Sequence, residues 1–421
     1  MDMHKSRVVL INPSENMPYG LMYIAGYLRK ANISVSIQNH PYIKGEPWVV
    51  GISSMFTVDA WKVKMWAEYI KTIHPDTTVV LGGNHASTNA EELIKLPYVD
   101  KVVVGEGEYA MWKIACGSQG KIYRESNLLI DCIPIPAYDL VDVEKYITEG
   151  VNPFSMRKRT MAIISSRGCP NDCAYCSIKA VWGRSWRGRS PQLVVDEIEY
   201  LQKTYDVHEF SFLDDSISID AKRLEGMCKE IIKRNLKIKW TTPNGIAHWT
   251  LTNHLLSSMK ESGCYRITFG IESGSPKIRK YIGKDYSLEQ ATGLINYGNR
   301  IGLWTITTNI IGLPYEDVAD INATLDYAIS CGTDLACFYE LIPHQGTRIA
   351  DDVDKITLSN LGTWQRMMYR EFLFSRILTA PFRLARKIRS WEDFLYACKL
   401  VKMGWRILLR TFKKKGHVLY G

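Results

Sequence analysis

Short continuous apolar runs, each followed by an amphipathic stretch, recur along most of this 421-residue chain. That alternation constrains the fold more than any other feature. A strand apolar on both faces must be covered on both, which is the signature of a parallel sheet flanked by helices. Strands are expected at 8–12, 35–38, 48–53, 78–82 and 101–104, and helices at 20–30, 60–73, 90–96 and 109–116. This set predicts a doubly wound, Rossmann-like α/β domain over 1–130, with its crevice at the carboxyl ends of the strands. Residues 131–158 read as a linker, because Ile133-Pro134-Ile135-Pro136 forbids helix and breaks strand pairing. The alternation then resumes with six strands, at 161–164, 209–214, 239–242, 266–270, 304–311 and 335–341. Six falls short of eight, so 159–350 is expected to form a partial (β/α)6 barrel. Residues 351–421 read as a helical extension.

Hydrophobic content of 46% and charged content of 23% are ordinary for globular domains. No apolar run approaches the length of a membrane span. The chain opens without a secretory h-region and carries ten cysteines, which predicts a cytoplasmic protein whose thiols serve metals rather than disulfides. The net charge of +9 is concentrated at one end: 355–421 holds 15 Lys+Arg against 3 Asp+Glu, and the rest of the chain is slightly acidic.

Cys169, Cys173 and Cys176 stand in Ser-Arg-Gly-Cys-Pro-Asn-Asp-Cys-Ala-Tyr-Cys, directly after the apolar run Met161-Ala162-Ile163-Ile164. Closed electron-transfer clusters use four thiolates. Three on one tight loop can grip three irons of a [4Fe-4S] cluster and leave the fourth open. Structural zinc is the alternative, but it prefers paired C-x2-C knuckles and four ligands, and no second knuckle exists here. A disulfide would need an oxidising compartment.

This spacing resembles the signature of the radical S-adenosylmethionine (radical SAM) superfamily. The resemblance extends through the barrel, as words at successive strand ends: Asp214-Asp215, Glu272-Ser273-Gly274, Thr308-Asn309, Gly312-Leu313-Pro314 and Pro343-His344-Gln345-Gly346-Thr347. It implies a cluster on the three cysteines and a SAM site using Tyr175, Asp214, Glu272, Ser273, Gly274, Asn309 and Pro343. Tyr175 would pack by the adenine and Glu272 would accept from the ribose hydroxyls. Other readings stay open at several of these positions. Glu272 could cap a helix, as could Asp214 and Asp215, which could also pair with a lysine. Arg187 and Arg189 could meet an anionic substrate, the SAM carboxylate or a protein carboxylate. His344 is a candidate base, and no catalytic residue is assigned.

The first domain resembles the cobalamin-binding domain that precedes many radical SAM domains. The matching words are Pro18-Tyr19-Gly20-Leu21, Leu81-Gly82-Gly83-Asn84-His85-Ala86 and Val103-Val104-Gly105-Glu106-Gly107-Glu108. The resemblance implies cobalamin held around Gly20, Gly82, Gly83, His85, Gly105, Glu106 and Gly107. The D-x-H-x-x-G loop that supplies an axial histidine in many such domains is absent after the first strand, and the stretch 39–47 is short. A domain kept only as scaffold is the alternative, as is a satisfied structural role for His85.

The expected activity is reductive cleavage of SAM to a 5′-deoxyadenosyl radical and cobalamin-dependent C-methylation of an unactivated carbon. The alternative is a cobalamin-independent rearrangement, cyclisation or other abstraction-initiated reaction. A methylthiotransferase acting on tRNA would carry three more cluster cysteines in the first domain, where only Cys116 stands, so nucleic acid is not the expected partner. A metal-stabilised binding protein without turnover is the reading from another class. The expected partners are a reductant such as flavodoxin or ferredoxin and a substrate that no motif specifies. Tyr369-Arg370-Glu371-Phe372-Leu373 resembles the helical extension of cobalamin-type members. The extension is expected to cap the barrel. Its end, 406–415 with Lys413-Lys414-Lys415, is expected to be the piece that could touch an anionic or membrane surface.

Overall fold

The computed structural model describes residues 8–125, 128–149 and 154–412. Lys413-Lys414-Lys415 lies outside the described residues. The chain divides into two compact units, one of residues 1–149 and 178–183, the other of residues 150–177 and 184–421.

The first unit runs β1 (Val8–Ile11), α1 (Tyr19–Lys30), β2 (Val35–Gln38), β3 (Val49–Ser53), α2 (Ala60–Ile73), β4 (Thr78–Gly82), α3 (Asn84–Thr88), α4 (Ala90–Leu93), β5 (Lys101–Gly105), α5 (Glu108–Ala115), β6 (Ile122–Glu125) and α6 (Val143–Glu149). The sheet order is β2-β1-β3-β4-β5-β6, with every pair parallel. Chain direction across the sheet therefore reverses at the β1/β3 boundary, the position where doubly wound folds open a crevice. Alternate strand residues feed two cores: Val9, Ile11, Val50 and Val79 pack with α2, and Val8, Leu10, Val49 and Val80 pack with α1 and α5. Leu21, Ala25 and Leu28 form the buried stripe of α1 at helical spacing.

Three features differ from the sequence expectation. β6 adds a sixth strand, whose run Ile-Tyr-Arg-Glu has too few apolar residues to announce itself. Helix α3, of five mostly small or polar residues, precedes α4. The stretch 131–149 packs with the first unit instead of spanning open solvent: Tyr138 and Ile147 are buried, and the Ala137 N–H donates to the Met22 carbonyl at 3.0 Å. The prolines bar regular pairing there, but Ile133, Ala137 and Tyr138 still have apolar surface to bury.

The second unit carries β7 (Thr160–Ile163) and β8 (Ser166–Arg167) ahead of the cysteine loop, whose third cysteine is followed by α7 (Ile178–Trp182), which counts with the first unit. It continues with β9 (Arg187–Gly188), α8 (Pro191–Tyr205), β10 (Glu209–Phe212), α9 (Ala221–Lys233), β11 (Lys239–Ile246), α10 (Asn253–Glu261), β12 (Cys264–Glu272), α11 (Pro276–Ile282), α12 (Leu288–Arg300), β13 (Trp304–Ile311), α13 (Val318–Ser330), β14 (Leu335–Glu340), α14 (Arg348–Asp351), α15 (Leu361–Lys387) and α16 (Trp391–Thr411). The main sheet runs β7-β10-β11-β12-β13-β14 in strict sequence order, all parallel. This is the partial barrel that six strands predicted. Helix starts are capped locally, by Asp220, Thr252, Ser275, Ser287, Asp317 and Thr347, each accepting from a backbone N–H of the first turn.

The C-terminal helices cap the barrel. Met368, Tyr369 and Phe372 of α15 pack on Ile311, Ala336 and Phe338. Tyr396 of α16 packs edge-on against Tyr265 and Trp304. Among the described residues no helix is long and apolar enough to cross a membrane.

Candidate active site

The cysteine loop follows β7 at the carboxyl edge of the sheet, where barrel enzymes place their chemistry. It is pinned by several contacts. The Gly168 N–H donates to Asp215 at 2.8 Å. The Ala174 N–H donates to the Ile282 carbonyl at the end of α11, and the Ile349 N–H of α14 donates to the Ala174 carbonyl. The Tyr286 hydroxyl donates to Asn171, and Arg184 pairs with Asp172. Cys169, Cys173 and Cys176 are free thiols, all half-buried. Burial pushes the Cys169 and Cys173 thiols up; the Asn171 N–H opposes this at Cys169, and the Lys284 charge opposes it at both. Among the described residues no three His, Cys, Asp or Glu side chains converge on one metal ion. The fit to a cluster rests on three half-buried thiols on one loop whose backbone is already held in place.

Asp214 is buried and accepts from the Ser165 N–H (3.2 Å), the Ser165 hydroxyl (2.8 Å) and the Ser166 hydroxyl. With Asp215 on Gly168, both carboxylates hold the segment that enters the cysteine loop. The helix-cap role considered for them falls to Asp220. Arg189 forms a buried ion pair with Glu197.

Glu272 ends β12 in the left-handed region, with φ of 66°, a conformation that costs a non-glycine residue energy and clusters at functional sites. Its Oε1 accepts from the Lys284 ammonium at 2.8 Å and the Tyr175 hydroxyl at 3.0 Å. Lys284 also donates to the Gly270 carbonyl. Burial alone would lower the Lys284 pKa, but Glu272 and Cys173 outweigh it and raise it. Ser273 and the Gly274 N–H meet the Thr324 hydroxyl at 3.1 and 3.0 Å. A Cβ at Gly274 would run into the Ala323 carbonyl, so only glycine lets this segment lie against α13. Asn309 is buried, with its amide donated to the Cys337 carbonyl and its Oδ1 without a partner. Pro343 and His344 are exposed on the loop after β14.

Two residues of this edge carried no sequence signal. Lys284 looks like any lysine after a short helix. His248 follows β11, is 3% exposed, and both its ring nitrogens lack a partner. Burial, with the Lys284 charge behind it, pushes its pKa down to about 4. It lies edge-on to Tyr286, which stacks on Trp249 with ring centres 3.7 Å apart.

In the first unit, the carboxyl edge carries the other expected residues. Gly20 is exposed at the start of α1 with open space beside it. Gly82 and Gly83 close β4, and Gly105, Glu106 and Gly107 close β5. Gly83 has φ of 106°, and its missing side chain would sit 2.8 Å from the Ser54 carbonyl, so the turn admits no other residue. His85 Nδ1 meets the Thr57 hydroxyl and the Asn89 amide, both at 3.2 Å, and burial lowers its pKa. The buried Ser54 hydroxyl at the end of β3 has no partner. An orphaned hydroxyl beside a glycine turn on this edge fits a polar, bulky ligand such as cobalamin.

The comparisons with known proteins agree with this geometry. The radical SAM superfamily model matches residues 163–328 and the B12 binding domain model matches residues 8–115. An uncharacterized methyltransferase of Pyrococcus horikoshii is 31% identical, with 94% of each chain covered. The cytidylyl-2-hydroxyethylphosphonate methyltransferase of Streptomyces wedmorensis is 28% identical, covering 82% of this chain and 80% of its own. Among solved structures, the radical SAM methyltransferase TsrM of Kitasatospora setae, with cobalamin and a [4Fe-4S] cluster bound, superposes with a TM-score of 0.70 at 17% identity, covering 82% of this chain and 76% of that one. OxsB, a cobalamin-dependent radical SAM enzyme, gives 0.62 at 18% identity, covering 84% and 55%.

The chain belongs to the radical SAM superfamily, in the group whose radical SAM domain follows a B12 binding domain. It is an enzyme, and its family implies a [4Fe-4S] cluster, SAM and cobalamin as cofactors.

Proposed function

We propose that this enzyme methylates an unactivated carbon by cobalamin-dependent radical SAM chemistry. The observation that carries the reading is a three-cysteine loop at the carboxyl edge of a partial barrel, in a chain that also builds a glycine-lined B12-type edge. Methyltransferases among its relatives support it. When bound, the cluster supplies the electron that splits SAM and cobalamin supplies the methyl group.

The residues have separate tasks. Cys169, Cys173 and Cys176 hold the cluster, and Asp214 and Asp215 hold their loop. Glu272, kept in place by Lys284 and Tyr175, faces the SAM ribose, with Ser273, Gly274, Asn309 and Pro343 shaping the rest of that site. His248 stays neutral and offers one donor and one acceptor to SAM or substrate. Ser54, Gly20, Gly82, Gly83, His85 and the Gly105-Glu106-Gly107 turn hold cobalamin. The electron comes from a flavodoxin or ferredoxin in the cytoplasm, and the basic C-terminal tail, 406–415, contacts an anionic or membrane surface.

Anaerobic reconstitution with iron, sulfide and cobalamin tests the reading. Methyl-labelled SAM and a reductant should release 5′-deoxyadenosine and transfer label to a carbon of the product. Release of 5′-deoxyadenosine with no cobalamin retained after desalting would instead favour the non-methylating alternative.

A further inference from the structure

Helix α16 has two apolar faces. One, with Tyr396, Ala397, Leu400 and Leu408, is buried. The other faces solvent: Trp391 is 71% exposed, Trp405 55%, Leu409 61% and Phe412 61%. At about 100° per residue, these and Phe394, Leu395 and Val401 share one arc of roughly 120°. Lys402 and Arg406, both exposed, lie within or along one border of that arc. A helix that merely caps a barrel presents polar residues to water. Phe374, Ile377 and Phe382 of neighbouring α15 are exposed too. A cavity of about 260 Å³ opens along the pair, lined among others by Ile377, Leu384, Val401, Trp405 and Leu408.

The charge identifies the partner. The span 361–412 holds 11 Lys+Arg against 3 Asp+Glu. The three acids are engaged, Glu371 with Arg370, Glu392 with Arg157, and Asp393 by the Ser390 hydroxyl at the α16 cap. A second copy on this face would bring like charges together. A nucleic acid would satisfy the cations and leave the apolar arc wet. An anionic bilayer satisfies both, because apolar side chains enter the acyl boundary while Lys and Arg meet headgroups.

We propose that α15 and α16 form a docking surface for an anionic lipid bilayer, with Trp405, Leu409 and Phe412 inserted, Lys402 and Arg406 at the headgroups, and the cavity beside Trp405 open to an acyl chain. The proposal deepens the anionic-surface contact read above for the C-terminal tail; it shares no residue with the cluster and SAM machinery, so its failure would leave the reaction assignment standing.

The test is co-sedimentation of the full chain with phosphatidylcholine vesicles with and without phosphatidylglycerol. Binding is expected only with the anionic lipid and should weaken with salt. Trp405→Ser with Leu409→Ser, and separately Lys402→Glu with Arg406→Glu, should each reduce partitioning by roughly tenfold or more, with circular dichroism and 5′-deoxyadenosine release unchanged. The proposal is overturned if the wild type stays in the supernatant, or if both double variants bind as it does. It is equally overturned if the face mediates a dimer in light scattering, or binds RNA in preference to vesicles.

Discussion

The Lys284 ammonium lies 2.8 Å from Glu272 Oε1, and that carboxylate belongs to a residue held at φ of 66°. The ion pair therefore fixes a strained strand end beside the cysteine loop, and Tyr175 from that loop shares the same oxygen. Glu272 Oε1, paired with Lys284, thus ties the cysteine loop to the end of β12.

Lys284→Met should leave Glu272 buried without a countercharge, costing about 3–5 kcal/mol of stability. Iron content after reconstitution should hold, while 5′-deoxyadenosine release falls about tenfold or more. Adding Glu272→Gln should recover much of the stability, because the unpaired charge is gone, and none of the activity. A double-mutant cycle on urea midpoints and turnover separates the two effects.

Replacing any one of Cys169, Cys173 or Cys176 by Ala should abolish iron loading and SAM cleavage while leaving the melting temperature of the unloaded chain nearly unchanged. Replacing buried Cys228, Cys264 or Cys331 should leave iron loading intact. Iron and sulfide assays on the six variants decide it.

His248 gives a pH prediction. Its folded pKa of about 4 lies below its ordinary 6.5. As pH falls from 6.5 toward 4 the unfolded chain takes up a proton that the folded chain refuses, so stability is full above the window and is lost within it. The slope is about 1.4 kcal/mol per pH unit. His248→Phe should remove that slope. Both ring nitrogens are unsatisfied, so the variant should be as stable as wild type near neutral pH or more so, yet cleave SAM about 10- to 100-fold more slowly. Urea titrations at several pH values, paired with turnover, check both halves.

Asp334 anchors the C-terminal helices. It accepts from Lys387 (2.7 Å), Arg383 (3.0 Å) and the Thr305 N–H (2.8 Å). Burial alone would raise its pKa, but the two cations outweigh that and lower it. Its contribution is thus complete above the ordinary carboxylate range and disappears as pH falls through the lower folded value. Asp334→Asn should cost about 3–5 kcal/mol near neutral pH, through buried Lys387, and much less in acid. Urea midpoints at both pH values test this.

The strand and helix alternation, the cysteine loop and the glycine turns were legible because each is a local pattern. Ile-Tyr-Arg-Glu was not read as a strand, since β6 takes its place from pairing with β5 rather than from its own apolar content. The packing of 131–149 was hidden because two prolines signal irregular backbone and say nothing about burial.

One chain of letters was enough to read a parallel α/β architecture, a three-cysteine loop and a family resemblance, since period and spacing act over a few neighbouring residues. Only the folded chain brought Lys284 to Glu272, left His248 without a partner and turned a second apolar face of α16 to solvent. Those relationships depend on which distant residues become neighbours, and burial and charge gain their energies only after that choice is made.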